Sequence, residues 1–168
     1  MRETITYPRW GEGGNSGSVR GTRIHGCLNH VVSCVMNKEN CNCPTHRKIL
    51  EPEDHLKLAR FIRMLRIDFE FVASEVHLRD REGNQYFADF VLRRKVGGKI
   101  LIGELKTGHR DLYQRNTLQN RITRGSHKQQ VKNYIKLWNE SFHSRRLGTS
   151  QQGCIFYLDS MQYKYISL

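Results

Sequence analysis

The chain lacks any apolar run of about 18 residues, so the sequence offers no transmembrane helix. Its first residues, MRETITYPRWGEGG, contain no apolar h-region and show no secretory signal. An intracellular protein, in the cytoplasm or with the nucleoid or nucleus, is the expectation, without membrane association. There are no internal repeats. Acids are scarce toward the C-terminus: residues 112–168 hold two Asp/Glu against nine Lys/Arg. Residues 1–50 hold three against seven, and residues 51–111 eleven against twelve, so the acids gather in the middle.

The 168 residues, 38% hydrophobic, are enough for one domain with a real core, and too apolar for wholesale disorder. The formal charge of +12 favours a polyanionic partner through counterion release and long-range attraction. Nucleic acid is the expected partner.

Residues 11–22, GEGGNSGSVRGT, hold five glycines and two serines and read as a flexible lead-in. A Cys/His-rich segment follows over 25–47, so residues 1–50 form an extension ahead of a domain over 51–168. Pro52, Glu53 and Asp54 make a helix start, and Leu56, Leu58, Ala59, Ile62 and Leu65 give a helical stripe over 53–66. FEFVASEVHL (69–78), YFADFVLRR (86–94) and KILIGELK (99–106) read as a three-stranded meander joined by short polar turns. A longer polar connection runs from His109 to about Gly125. Over 126–142, Val131, Tyr134, Ile135, Trp138 and Phe142 fall at helical spacing, with Ser126 as N-cap. CIFYL (154–158) is a buried-type strand, and YKYISL (163–168) is a candidate to pair with it.

Each meander strand carries one acid among apolar neighbours: Glu75, Asp89 and Glu104. Tyr86, Ala88, Phe90 and Leu92 share one expected face, which puts Asp89 on the other. Strands lie about 4.8 Å apart, so the three acids can converge if the registers allow. Converging buried carboxylates require a cation, and Mg²⁺ or Mn²⁺ suits an all-oxygen set. Such an ion would activate water and stabilise charge on a phosphodiester. Lys106, on the same face as Glu104, could orient that water or neutralise the developing oxyanion.

Asp89, fourteen intervening residues and then Glu104-Leu105-Lys106 resembles the PD-(D/E)XK nuclease superfamily. ELKTG (104–108) and Gln130-Val131-Lys132-Asn133-Tyr134 are similar to motifs of its RecB-like branch, over roughly residues 53–158. The resemblance implies a restriction-endonuclease-like α+β fold with an αβββαβ core, a mixed sheet flanked by helices. It implies a Mg²⁺- or Mn²⁺-dependent deoxyribonuclease. Asp89, Glu104 and the Leu105 carbonyl would hold the metal, with Glu75 serving a second ion or orienting water, and Lys106 would be the catalytic lysine. Gln130 and Tyr134, four apart on a helix, would position the site and the DNA backbone. Many branch members use a histidine ahead of the first strand; His55 is the nearest candidate, and His77 shares the expected strand face of Glu75. Arg115, Arg121, Arg124, Lys128 and Lys132 would hold the DNA backbone without reading bases.

Cys34, Cys41, Cys43 and His46 offer four zinc ligands within 13 residues, with Cys27, His25 and His30 in reserve. A structural zinc, free thiols in an irregular cap, and an iron–sulfur cluster are the readings in that order. The cluster ranks last because only Cys154 follows the Gln-x-x-x-Tyr motif. Two other functions stay open: a nuclease fold that binds nucleic acid without cutting it, and an RNA endonuclease. A homodimer is plausible because duplex cleavage needs two cuts. The sequence leaves endo- versus exonuclease action undecided.

Overall fold

The computed structural model describes residues 16–36, 50–107 and 118–168. The elements run α1 (Ser16–Met36), α2 (Pro52–Asp68), β1 (Phe69–Arg79), β2 (Gln85–Arg94), β3 (Ile100–Lys106), α3 (Leu118–Glu140), α4 (Phe142–Leu147), β4 (Ser150–Tyr157) and β5 (Gln162–Ser167). The strands form one mixed sheet in the order β1-β2-β3-β4-β5, with β3 and β4 parallel and the other pairs antiparallel. The parallel pair requires a crossover, and α3 lies on it. This is the expected α+β class, a mixed sheet flanked by helices. Among the described residues no helix is long and apolar enough to cross a membrane.

Two apolar clusters hold the layers together. One joins Ile24, Cys27, Leu28 and Val32 of α1 and Leu58, Phe61, Ile62 and Leu65 of α2 to Phe90, Leu92, Leu101, Leu105 and Phe156. The other joins Val131, Tyr134, Ile135 and Trp138 of α3 to Val76, Leu78, Ala88, Val91, Ile100, Ile102 and Ile155. Glycine lets α3 approach the sheet: a Cβ on Gly153 would overlap Val131 and stand 2.8 Å from the Ile102 carbonyl. The start of β4 is tied to α3 by Asn139, whose side chain donates to the Ser150 carbonyl (2.7 Å) and accepts the Ser150 N–H (2.7 Å).

The helix over Pro52–Asp68, strands β1, β2, β3 and β5 and the pairing of β4 with β5 follow the sequence reading closely, while β4 starts at Ser150, four residues before the expected Cys154. Elsewhere the structure corrects it. Residues 16–22 belong to α1 rather than to a flexible loop. Ile24, Cys27, Leu28 and Val32 form a buried helical stripe in which Cys27 acts as a small hydrophobe. Its neighbours' ligand-type side chains disguise the period. Helix α3 begins at Leu118, so Ser126 lies inside it instead of capping it. Phe142 is exposed and opens α4 after a break at Ser141, and Leu56 is exposed while Phe61 fills the α2 stripe.

Alternation in β2 also slips. Tyr86 and Ala88 pack on the α3 side, but Phe90 and Leu92 pack on the α1–α2 side. Pairing explains the slip. β3 pairs with β2 only from Ile100 to Gly103, whereas it follows β4 out to Lys106–Tyr157. Past Phe90, β2 keeps only β1, and a wedge opens between β2 and β3.

Candidate metal centre

The wedge leaves the Leu105 N–H without a backbone partner on β2, and the Asp89 carboxylate takes it at 2.7 Å. Asp89 is thereby fixed at 3% exposure between the two strands. Glu104, at 1% exposure, comes from the facing side of the wedge. The third component comes from outside the meander. His25 on α1 places Nε2 at 3.2 Å from Asp89 Oδ2 and 2.8 Å from the Leu105 carbonyl oxygen. Ligand atoms of His25, Asp89 and Glu104 all lie within 4.8 Å of one another.

Both His25 nitrogens face oxygens, since Nδ1 stands 2.8 Å from the Gly21 carbonyl. Carbonyls only accept, so each nitrogen carries a proton when no ion is bound. Burial opposes that charge. The charges of Asp89 and Glu104 and the hydrogen bonds to Asp89 and Gly21 outweigh it and lift the His25 pKa to about 9. The metal-free site is a buried imidazolium between two carboxylates. A divalent cation fits the same donor set by replacing the Nε2 proton, with one imidazole, two carboxylates and one carbonyl as ligands.

Helix α1 is held in place by more than apolar burial. Arg20 donates to both oxygens of Asp54 on α2 (3.0 and 2.7 Å) and to both oxygens of Asp159 after β4 (3.1 and 2.6 Å). Lys57 adds a 3.0 Å bond to Asp159. The Ser74 hydroxyl donates to Asn29 Oδ1 at 2.6 Å, tying α1 to β1. These anchors fix the helix that carries His25.

Lys106 lies on the same side as Glu104, as the strand period predicts. Its ammonium is 3.4 Å from Glu104 Oε1 and donates to Gln130 Oε1 at 2.9 Å. Gln130 in turn donates to the Tyr134 hydroxyl at 2.7 Å. Tyr134 is therefore both core and support: it packs beside Val131 and Ile135 and holds the amide that holds Lys106. One turn earlier on α3, His127 stands 3.4 Å from the Tyr157 hydroxyl. Burial, with a smaller push from the Lys106 charge, lowers its pKa to about 4, so it is neutral at pH 7.

Of the sequence-derived candidates, the structure brings together Asp89, Glu104, the Leu105 carbonyl, Lys106, Gln130 and Tyr134. Glu75 is not in the close ligand group. It lies on β1 between Ser74 and Val76, whose partners Phe90 and Ala88 flank Asp89, and its φ of 45° breaks the strand alternation. Ser74 consequently meets α1 while Val76 packs on the α3 side. His55 is also outside the group; the histidine that joins Asp89 and Glu104 is His25 on α1. The signal for His25 was its place on the Ile24–Cys27–Leu28 helix, which the cysteine spacing obscured. His77 stacks on Phe87 instead of joining the ligands.

Lys128 is exposed and Lys132 half-buried on α3; Arg121 and Arg124 fall in its first turns, and Arg115 lies outside the described residues. Among the described residues, Cys27, Cys34 and Cys154 form no disulfide. Cys34 Sγ is 3.7 Å from His30 Nε2, while Cys41, Cys43 and His46 lie outside the described residues.

No family model matches the chain. No curated protein matches it either. Among solved structures, the chain is similar to the protein of the crystal structure of SSO0001, at 16% identity over 94% of this chain and 79% of that one, with a TM-score of 0.39. So slight a likeness bears on neither fold class nor activity.

Proposed function

We propose that this protein is a divalent-metal-dependent nuclease of the PD-(D/E)XK type, with a restriction-endonuclease-like core, that hydrolyses phosphodiester bonds in DNA. One observation carries the reading: the ligand atoms of Asp89, Glu104 and His25 converge within 4.8 Å, with the Lys106 ammonium against Glu104. Two buried acids, an imidazole and a lysine are costly to gather in a core unless they serve a cation and an anionic substrate.

His25, Asp89, Glu104 and the Leu105 carbonyl would hold the metal. Bound Mg²⁺ or Mn²⁺ supplies Lewis acidity toward the phosphate and an acidified water. The imidazole tilts the set toward Mn²⁺ relative to an all-oxygen site. Asp89 accepts the Leu105 N–H and so fixes the Glu104–Leu105 peptide unit, next to the Leu105 carbonyl. Lys106, kept extended by Gln130, aligns the attacking water and offsets charge developing on the phosphate. Tyr134 fixes Gln130, and so acts on the lysine indirectly. The chain's charge of +12 supplies attraction for the nucleic-acid backbone.

The test is incubation of the chain with labelled DNA and RNA in Mg²⁺, Mn²⁺ or EDTA. DNA cleavage should require metal and vanish in Lys106→Ala, while that variant still binds DNA. Metal-independent cleavage, or a Lys106→Ala variant as active as the parent, refutes the proposal. Binding without cleavage would assign the fold to recognition alone, and cleavage confined to RNA would reassign the substrate.

A further inference from the structure

The β1–β2 hairpin continues past the wedge, where β3 no longer covers it. Its side facing α3 is closed: Val76, Leu78 and Ala88 are buried there, and Tyr86 packs edge-on to Tyr134. Alternation turns His77 and Phe87 to the other side, the one from which His25 reaches Asp89. These two residues are cross-strand partners, and their rings stack with centroids 4.9 Å apart at 15°. His77 is exposed and Phe87 half-buried. Phe87 is two residues from Asp89, about 7 Å along the strand. Two residues further out on the same side is the exposed Arg79.

We propose that the His77–Phe87 pair is a stacking platform for an unpaired nucleobase of single-stranded DNA, one nucleotide away from the phosphate at the metal centre. The site has the parts that single-strand recognition uses. An aromatic face accepts any base without reading its edges, and a cation beyond it takes the next phosphate. Metal ligands, aromatic pair and Arg79 follow one another at two-residue steps, a spacing near that of nucleotides in an extended strand. A base within a duplex is already stacked on its neighbours and is shielded from such a platform. The structure therefore assigns single strands, or frayed ends, as the preferred substrate. This rests on the nuclease reading for the position of the scissile phosphate, but base stacking is measurable without cleavage.

The experiment uses the whole chain in EDTA with a single-stranded oligodeoxynucleotide carrying 2-aminopurine, and a blunt duplex of the same sequence. The parent should quench the fluorescent base and bind the single strand more tightly than the duplex. His77→Ala, on the exposed ring, and Phe87→Leu, which keeps bulk without the aromatic face, should each weaken single-strand binding roughly tenfold. Both should lose the quenching and leave duplex binding and Mn²⁺ affinity at parental levels. Variants that bind and quench like the parent, or that lose single-strand and duplex binding equally, overturn the platform. Failure of the nuclease reading would appear separately, as a parent that does not cleave in Mn²⁺ while the binding result still decides the stacking.

Discussion

Replacing His25 with alanine tests the centre where fold and chemistry meet. In the metal-free protein the imidazolium lies against Asp89 at 3.2 Å and feels Glu104, and both acids are almost fully buried. Removing the cation leaves two carboxylates in the wedge without it. Breaking a buried pair from one side costs about 3–5 kcal/mol. Solvent entering the space vacated by the ring reduces that, so a loss of about 3 kcal/mol is expected by urea denaturation in EDTA. A divalent cation restores positive charge at the same point, so added Mn²⁺ should recover part of the loss. The variant, lacking one ligand, should bind Mn²⁺ at least about tenfold more weakly by titration calorimetry. A variant that loses under about 1 kcal/mol in EDTA and binds Mn²⁺ like the parent would refute the placement of His25 in the centre.

Three further outcomes follow from other parts of the fold. Arg20→Met removes the clamp on Asp54 and Asp159 and should cost about 2 kcal/mol in denaturant melts, moderated because the site is partly solvated. It should also weaken Mn²⁺ binding, since α1 carries His25, whereas a metal affinity equal to the parent's would show that α1 docks without the clamp. Gly153→Val should destabilise by about 3 kcal/mol or prevent folding, because the side chain meets Val131 and the Ile102 carbonyl; a parental melting temperature would contradict the close approach of α3. The depressed pKa of His127 means the unfolded chain takes up this proton first as pH falls. Stability from this residue is therefore complete above about 6.5 and declines toward about 4. His127→Gln should flatten that part of the stability profile, and an unchanged slope in the variant would exclude His127 as its source.

Much of this was legible along the chain. ILIGELK reads as a buried strand because its apolar run is short and bounded by glycines, and the period of two puts Glu104 and Lys106 on one side. The four-residue spacing of Gln130 and Tyr134 predicts a shared helix face, and the structure joins them by a hydrogen bond. Glu75 was singled out for the same local reason as Glu104, an acid in a strand, yet it stands outside the close group of His25, Asp89 and Glu104. A single residue at positive φ, which the sequence pattern does not reveal, breaks the alternation there. Asp89 was expected to face away from Phe90 and Leu92. The wedge between β2 and β3 shifts the phase at that residue, because pairing with β3 stops at Phe90.

The sequence by itself determined the strands and helix that carry Asp89, Glu104, Lys106, Gln130 and Tyr134, because periodicity is written in neighbouring residues. Only the tertiary structure decided that His25, 80 residues from Leu105 in the chain, completes the centre. That choice depends on where α1 docks, and docking is set by a buried apolar stripe and a four-oxygen grip on Arg20 drawn from two distant segments. No local pattern encodes such a meeting, because the energy that fixes it arises only when the distant surfaces are already together.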